Sequence, residues 1–147
     1  MKITIASVGK SAEPAIQQLA GKYLKRLAFY AEVEEIVLKD ETKLLKPSKQ
    51  ARSGARHLLI LLDSRGKQFS SEELAAFLGA HRDRGSASLL FAVGPANGFS
   101  DPLLKSAALR ISLGKMTLTH ELARVVLLEQ LYRAFTILKG HPYHVGH

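Results

Sequence analysis

The sequence has no cysteine and no tryptophan, and only 5 of its 147 residues are proline. Without cysteine the protein has no disulfides, no thiolate metal ligands and no thiol nucleophile. No apolar run approaches the roughly 20 residues that cross a bilayer. The opening Met1-Lys2-Ile3-Thr4-Ile5 alternates like a strand and does not resemble a signal peptide. We therefore expect a cytoplasmic protein without a membrane segment.

Acidic residues are also few, since 21 Lys and Arg accompany 13 Asp and Glu, for a formal net charge of +8. This excess favours a polyanionic partner such as nucleic acid. The charge is densest between Lys39 and Arg56, where six basic side chains accompany only Asp40 and Glu41. The stretch could be a solvated linker or a strip that contacts phosphates, and charge alone does not choose between them.

Strand and helix patterns alternate along the chain and predict one α/β domain over residues 1–147. The apolar third and fourth strands indicate a mainly parallel sheet with helices on both faces. Helix starts are marked by the capping box of Ser70 and Glu73 and by Thr119. The predicted strands are 2–8, 33–38, 57–63, 88–93 and 109–113, and the predicted helices are 11–30, two that begin near Ser70 and Ser100, and 119–138.

The last predicted helix is apolar over more than half of its circumference, from Leu122 to Leu138. A single core-facing stripe needs less than this. We therefore expect a second packing surface and a homodimer, and the alternative is a helix buried within one chain.

Glycines follow two of the predicted strands, at Gly94 and Gly98 and again at Gly114. In an open parallel sheet, ligands bind outside the carboxyl ends of the strands, so these loops and Asp63 are candidate ligand contacts. The segment from Lys115 to Leu118 offers main-chain polar groups and apolar side chains that would suit a purine ring and an amino-acid moiety. Spacing alone favours the alternative that Gly94 and Gly98 only form a tight turn between strand and helix.

Several familiar motifs are absent or incomplete. Gly9-Lys10-Ser11 ends like a phosphate-binding loop, but Thr4 stands where that motif needs glycine. No G-x-G-x-x-G or G-x-S-x-G occurs, so nicotinamide chemistry and serine hydrolysis have no support. The histidines at 141, 144 and 147 are spaced three apart, but Pro142 and Gly146 argue against a helix that would make them chelate. We expect no metal.

Ordered motifs occur across the chain: Val8-Gly9, Leu62-Asp63, Gly66-Lys67, Val93-Gly94-Pro95 with Gly98, Ile111-Ser112-Leu113, Met116-Thr117-Leu118, His120, Arg124, Leu131-Tyr132-Arg133-Ala134 and His141-Pro142-Tyr143-His144. Together they resemble the RlmH family, which are SPOUT-class methyltransferases of large-subunit ribosomal RNA. The resemblance implies N3 methylation of a pseudouridine on the assembled ribosome, with S-adenosylmethionine as donor. It also implies a C-terminal trefoil knot and a homodimer in which one chain completes the cofactor pocket of the other.

The resemblance also implies site residues. Tyr143 and His144 would position the target base, with His144 a candidate proton acceptor, and Arg133 would contact a phosphate or the base. The alternatives are an ion pair of Arg133 with Glu129 and simple packing of the tail on a partner chain. The cofactor would lie against Leu62, Gly94, Gly114, Lys115, Met116, Thr117, Leu118 and Thr119.

Two positions depart from the family pattern. Val145 stands where relatives usually have a basic residue, so either a phosphate contact is lost or His147 replaces it. The region after Lys39 is shorter than in typical relatives. These departures leave two alternatives open, a non-catalytic RNA- or ribosome-binding protein of the same fold and a related methyltransferase that acts on transfer RNA.

Overall fold

A computed structural model describes residues 1–10, 13–45, 57–85, 88–95 and 97–145, and the statements below concern these residues. Residues 46–56 of the basic stretch lie outside them, and so does His147. The strands are β1 (Lys2–Val8), β2 (Glu32–Leu38), β3 (Leu58–Gln68), β4 (Leu89–Val93) and β5 (Leu109–Ser112), and the helices are α1 (Pro14–Leu27), α2 (Thr42–Leu45), α3 (Ser71–Asp83), α4 (Asp101–Ser106) and α5 (His120–Lys139), followed by a 3₁₀ turn (Pro142–His144).

The strands form one sheet in the order β2-β1-β4-β3-β5, and every pair is parallel. Parallel neighbours require crossover connections, and the helices between the strands supply them. The predicted α/β class with a parallel sheet is confirmed. All five carboxyl ends therefore point to one edge of the sheet, and the crevice described below lies there.

Alternate side chains of the strands enter two separate cores. Ile3 and Ile5 of β1 and Phe91 of β4 are fully buried on the face covered by α1, α3 and α5. Ala6 and Ala92 point the other way, into a smaller core that includes residues of α4. Two covered faces explain why β3 and β4 are almost continuously apolar at their starts, because neither face meets water.

Three elements differ from the predictions by more than one residue. α1 begins at Pro14 and not at residue 11, because proline at the first helical position has no N–H to donate to the preceding turn. β3 continues beyond Asp63 to Gln68, so the expected loop after this strand is instead an irregular part of the strand. The short helix α2, inside the basic stretch, has no sequence signal that we recognised.

The irregularity in β3 brings two backbones unusually close. Both Leu62 and Lys67 align with Ile111 of β5, so the residues between them bulge out of the ladder. A Cβ on Gly66 would lie 2.7 Å from the carbonyl carbon and oxygen of Arg110. This gap admits glycine only, and it is the physical reason for the Gly66-Lys67 motif.

We expect Gly66→Ala to lower the free energy of unfolding by about 1 to 3 kcal/mol, because its Cβ would collide with backbone and not with a flexible side chain. Thermal unfolding followed by circular dichroism measures this loss. Gly21→Ala is the matched control, since nothing lies within 4 Å of its Cβ and Gly21 is helical. The control should be more stable than wild type by about 0.5 to 1 kcal/mol, and equal stability of the two variants would contradict the close approach.

Helix α5 packs between α1 and α3 within one chain. Leu127, Leu128, Leu131 and Phe135 are at most 2 % exposed, whereas Leu122 is 47 % exposed. The apolar circumference of α5 is thus mostly covered by its own chain and does not by itself argue for a dimer. The homodimer stays a prediction, as does the trefoil knot.

No helix in the described part of the chain is both long and apolar enough to cross a membrane. The described residues also contain no cluster of three or more His, Asp or Glu side chains arranged to hold a metal ion.

Candidate active site

A crevice of about 470 Å³ opens at the carboxyl ends of β4 and β5, beside the irregular part of β3. Its size lies within the range of small-molecule sites, and its place is where parallel sheets bind ligands. The crevice is lined by residues 62–65, 93–95, 97–99, 113–114 and 116–118, together with His120 and Ala123.

One wall is the turn that follows β4. A Cβ on Gly94 would stand 2.8 Å from the ring of Phe99, which is only 9 % exposed and belongs to the smaller core. Gly98 has φ +80° and donates its N–H to the carbonyl of Pro95 at 2.9 Å. Both glycines are therefore required by the turn itself, as the tight-turn interpretation held, and the turn they make also lines the crevice.

The opposite wall is the segment between β5 and α5. Gly114 has φ +141°, and the hydroxyl of Ser112 both accepts its N–H at 3.1 Å and donates to its carbonyl at 2.9 Å. This local bonding fixes the turn and leaves Met116, Thr117 and Leu118 exposed along the crevice. Their main-chain groups and apolar side chains are available to a ligand.

Two side chains that line the crevice, Asp63 and His120, each have a buried polar atom without a hydrogen-bond partner. Oδ2 of Asp63 is buried without a hydrogen bond, with a guanidinium nitrogen of Arg110 at 3.7 Å, while Oδ1 accepts the backbone N–H of Arg65 at 3.3 Å. Nε2 of His120 is also buried and has no hydrogen-bond partner. Buried polar atoms of this kind are usually satisfied, so they favour a ligand that donates or accepts hydrogen bonds here.

His120 also lines a second, smaller cavity of about 170 Å³ at the ends of β1 and β2. There the guanidinium of Arg124 donates to Glu35 at 2.6 Å and to Gln17 at 3.2 Å. The hydrogen bonds to Glu35 raise the pKa of Arg124 above its ordinary value. The pair ties α5 to β2 and α1, so Arg124 has a structural role at the start of the helix that borders the crevice.

The C-terminal tail turns back onto α5 at Gly140. This residue has φ +69°, and the N–H groups of Gly140 and His141 bond to the carbonyls of Ile137 and Thr136. The two bonds form a Schellman motif, which needs a left-handed residue and therefore glycine. The 3₁₀ turn that follows packs Tyr143 edge-on against the ring of Tyr132, with centroids 4.7 Å apart.

The predicted catalytic residues form one hydrogen-bonded network around Glu129. Its Oε1 accepts from Nε and a terminal nitrogen of Arg133, at 3.0 and 2.7 Å, and from the hydroxyl of Tyr143 at 3.0 Å. Arg133 also contacts Nδ1 of His144 at 3.0 Å, and Nε2 of His144 is 2.8 Å from Glu72 of α3. A guanidinium can only donate, so Nδ1 accepts and Nε2 donates its proton to Glu72.

This network fixes the protonation of its members. Burial raises the pKa of Tyr143 above its ordinary value, and hydrogen bonds with Tyr23 and Glu129 raise it further. Hydrogen bonding to Glu129 raises the pKa of Arg133, and the bond from His144 lowers the pKa of Glu72. At neutral pH, Arg133 is therefore cationic, Glu72 anionic and Tyr143 a neutral donor that cannot act as a base in this arrangement.

The network and the crevice contact different segments along α5. The tail contacts Glu129, Tyr132 and Arg133, whereas the crevice reaches α5 at His120 and Ala123. Six to ten residues of helix separate Ala123 from the tail contacts, or about 9 to 15 Å along the axis. No tail residue in the described part of the chain lines the crevice of its own chain.

The chain is similar over nearly its whole length to known methyltransferases. A family model described as "Predicted SPOUT methyltransferase" matches residues 1–144. The chain belongs to the SPOUT methyltransferase family. It is 55 % identical over its full length, and that of its relative, to "Ribosomal RNA large subunit methyltransferase H" of Koribacter versatilis. It is 41 % identical to the protein of the same name from Geotalea daltonii, over 98 % of this chain and 99 % of that relative.

Solved structures share the SPOUT fold at much lower identity. A probable methylase family protein from Haemophilus influenzae has a TM-score of 0.59 and 13 % identity, over 97 % of this chain and 70 % of that chain. A probable methyltransferase from Bordetella pertussis has a TM-score of 0.57 and 13 % identity, over 91 % of this chain and 93 % of the other. At this identity the likeness concerns the fold alone.

Six of the eight predicted cofactor residues of this SPOUT chain line the crevice: Leu62, Gly94, Gly114, Met116, Thr117 and Leu118. Lys115 and Thr119 do not line it. Thr119 caps α5, because its hydroxyl oxygen accepts a hydrogen bond from the N–H of Leu122 at 3.3 Å. Arg133, Tyr143 and His144 lie together in the tail network, away from the crevice.

Sequence reasoning did not identify the contacts of two residues of the tail network. Glu129 was considered only as an ion-pair partner of Arg133, although it also accepts from Tyr143. Glu72 was not considered, because it is 72 residues from His144 in the chain. The spacing of Glu129 and Arg133 predicts their own pair, but no local pattern predicts that a tail will return to them.

Proposed function

We propose that this protein transfers a methyl group from S-adenosylmethionine to N3 of a pseudouridine in large-subunit ribosomal RNA, on the assembled ribosome. The observation that carries the proposal is the full-length match to relatives named ribosomal RNA large subunit methyltransferase H. The name supports ribosomal RNA as the substrate. The base, the atom and the ribosomal context follow from the resemblance of the tail His141-Pro142-Tyr143-His144 to the RlmH family.

The crevice fits the proposed cofactor. The orphaned carboxylate oxygen of Asp63 suits a ribose hydroxyl or an ammonium group, both of which donate hydrogen bonds. Main-chain groups of the turn at Gly114 and the exposed segment after it suit the edge of an adenine ring, and Leu62 and Leu118 supply apolar surface. We assign the cofactor to Leu62, Gly94, Gly114, Met116, Thr117 and Leu118, with Lys115 and Thr119 adjacent to it.

S-adenosylmethionine supplies an electrophilic methyl group when bound, so the protein needs no metal or covalent nucleophile for this transfer. The protein must hold N3 of the base in line and remove its proton. We assign positioning to Tyr143 and Arg133 and the proton to His144. Nδ1 of His144 accepts a hydrogen bond from Arg133, so His144 must leave this partner before it can accept a proton.

The separation of tail and crevice supports a homodimer in which the partner's tail completes the site. Exposed apolar residues border the crevice and the second cavity and would be covered by a second copy. Met116 and Leu118 lie on the crevice, at 86 % and 38 % exposed, and Val37 lies on the second cavity, at 65 % exposed. His120 lines both cavities and stands between the two groups.

Two inactive variants should restore activity when they share a dimer. Thr117→Arg would block the crevice and His144→Ala would disable the tail, so a mixed dimer keeps one intact crevice facing one intact tail. Co-expression from two tagged copies in equal amount should give about a quarter of wild-type methylation, because half of the dimers are mixed and each has one working site. Purified mixed dimers without activity would show that the tail serves its own chain.

The function itself is tested by calorimetric titration with S-adenosylmethionine, followed by transfer of labelled methyl to ribosomes and to transfer RNA. Binding together with labelled large-subunit RNA is the expected result. Label on transfer RNA alone would place the protein among related methyltransferases of that substrate. Absence of cofactor binding would favour the non-catalytic RNA-binding alternative, which the net charge of +8 also fits.

A further inference from the structure

We propose that Arg26 of α1 binds a backbone phosphate of the RNA beside the target nucleotide. The proposal rests on the function proposed above and names a contact that the tail motif does not include. Arg26 shares no sequence motif with the tail, and only the packing of α1 on α5 brings the two close together.

Two aromatic faces hold the guanidinium in place. The central carbon of the Arg26 guanidinium lies 5.6 Å from the ring centroid of Tyr23 and 5.5 Å from that of Tyr132. The ring of Tyr132 is also the one against which Tyr143 packs. Arg26 and the tail residue expected to reach the base therefore contact the same ring.

The charge of Arg26 is not matched by an acid. Arg133 in the same cluster pairs with Glu129, and His144 contacts Glu72. Arg26 forms no ion pair with any Asp or Glu of the described residues, and its described contacts are the two aromatic rings. Contact with the faces of aromatic rings uses no N–H group of a guanidinium, so Arg26 can still donate two parallel hydrogen bonds, the geometry that suits a phosphate.

The test is steady-state methyl transfer to ribosomes over a series of KCl concentrations, for wild type, Arg26→Gln, Arg26→Lys and Lys25→Gln. Lys25 is the matched control, because it is an exposed basic residue next to Arg26 on the same helix. Each variant is also titrated with S-adenosylmethionine and melted, so that damage to the crevice or the fold is seen separately.

Arg26→Gln should raise KM for ribosomes about tenfold with kcat nearly unchanged, as expected for one lost charge-assisted hydrogen bond pair. Its plot of log KM against log salt should be shallower by about 0.7 to 0.9, the contribution of one phosphate contact. Arg26→Lys should keep the salt slope but recover only part of the affinity, since lysine lacks the planar fork. Lys25→Gln should change KM less than threefold.

Equal increases in KM for Arg26→Gln and Lys25→Gln would overturn the proposal, because they would show that Arg26 contributes only its positive charge and no specific phosphate contact. An unchanged salt slope together with weaker cofactor binding or a lower Tm would also overturn it, since a purely structural role predicts that pattern. If the wild-type protein methylates no ribosomal RNA, the proposed function is wrong as well. If the wild-type protein methylates ribosomes normally and the Arg26 variants do so equally well, only the Arg26 proposal is wrong.

Discussion

Thr117→Arg is expected to weaken binding of S-adenosylmethionine by roughly 100-fold or more, which corresponds to at least about 2.7 kcal/mol. Thr117 is exposed and lines the crevice, so an arginine there can occupy the space of the ligand without disturbing a buried neighbour. Calorimetric titration measures the loss, and methyl transfer should fall with it.

Lys115→Arg is the control for this variant. Lys115 lies two residues away, is exposed and does not line the crevice, so an arginine at this position should leave cofactor binding within about twofold of wild type. A substitution at Gly94 would be a poorer probe, because an added Cβ would lie 2.8 Å from the ring of Phe99 in the smaller core and could disturb the fold as well as the crevice. Normal cofactor affinity in Thr117→Arg would show that the ligand binds elsewhere.

His144→Ala is expected to lower kcat for methyl transfer by about 100-fold or more, the usual contribution of a general base, while cofactor affinity stays within about twofold. The reason is that His144 is assigned to the base, whereas the residues assigned to the cofactor line the crevice and do not include it. Single-turnover methylation of ribosomes and calorimetric titration together measure the two effects.

His57→Ala serves as the matched histidine removal. His57 is exposed just before β3, at the edge of the sheet opposite the crevice, where its Nδ1 contacts the hydroxyl of Ser88 at 3.1 Å. Its loss should change neither kcat nor cofactor affinity. If His144→Ala weakened cofactor binding as much as it slowed methylation, the tail would be part of the pocket wall and His144 would not be the proton acceptor.

Val145 stands where relatives usually have a basic residue, and its surroundings show whether another residue can replace that charge. This residue is 77 % exposed and forms no hydrogen bond through its side chain, so it does not stand in for the basic residue usual in relatives. Two described arginines contact the aromatic rings at the tail: Arg133, which is paired with Glu129, and Arg26, which forms no ion pair with a described residue. Arg26 is therefore the better candidate for the phosphate contact that Val145 cannot make.

Strand and helix identities were predictable because each rests on a local pattern. The alternation of β1 and the continuous apolar starts of β3 and β4 lie in the residues themselves, and Ser70 and Glu73 form the capping box that their spacing predicts. The extension of β3 past Asp63 was not predictable, because β5 sets the pairing of Lys67 and Gln68 from more than 40 residues away.

The crevice was predictable in outline, since parallel strands bring their carboxyl ends to one edge and glycines there mark the walls. The sequence also determined the family, through motifs spread from Val8 to His144, and the caps at Thr119 and Gly140 that begin and end α5. These features depend on residues close in the chain or on a pattern of types, and both can be read without coordinates.

Only the tertiary structure decided which charges are matched and where the tail lies. Glu72 reaches His144, and Arg26 rests on Tyr132, because α1, α3 and α5 pack side by side on one face of the sheet. Hydrogen bonds and stacking act over a few ångströms of space and not over sequence distance, so chain order carries no record of these partners. For the same reason, the distance between the tail and the crevice of its own chain could not be predicted, because it depends on the position of α5 in the folded protein.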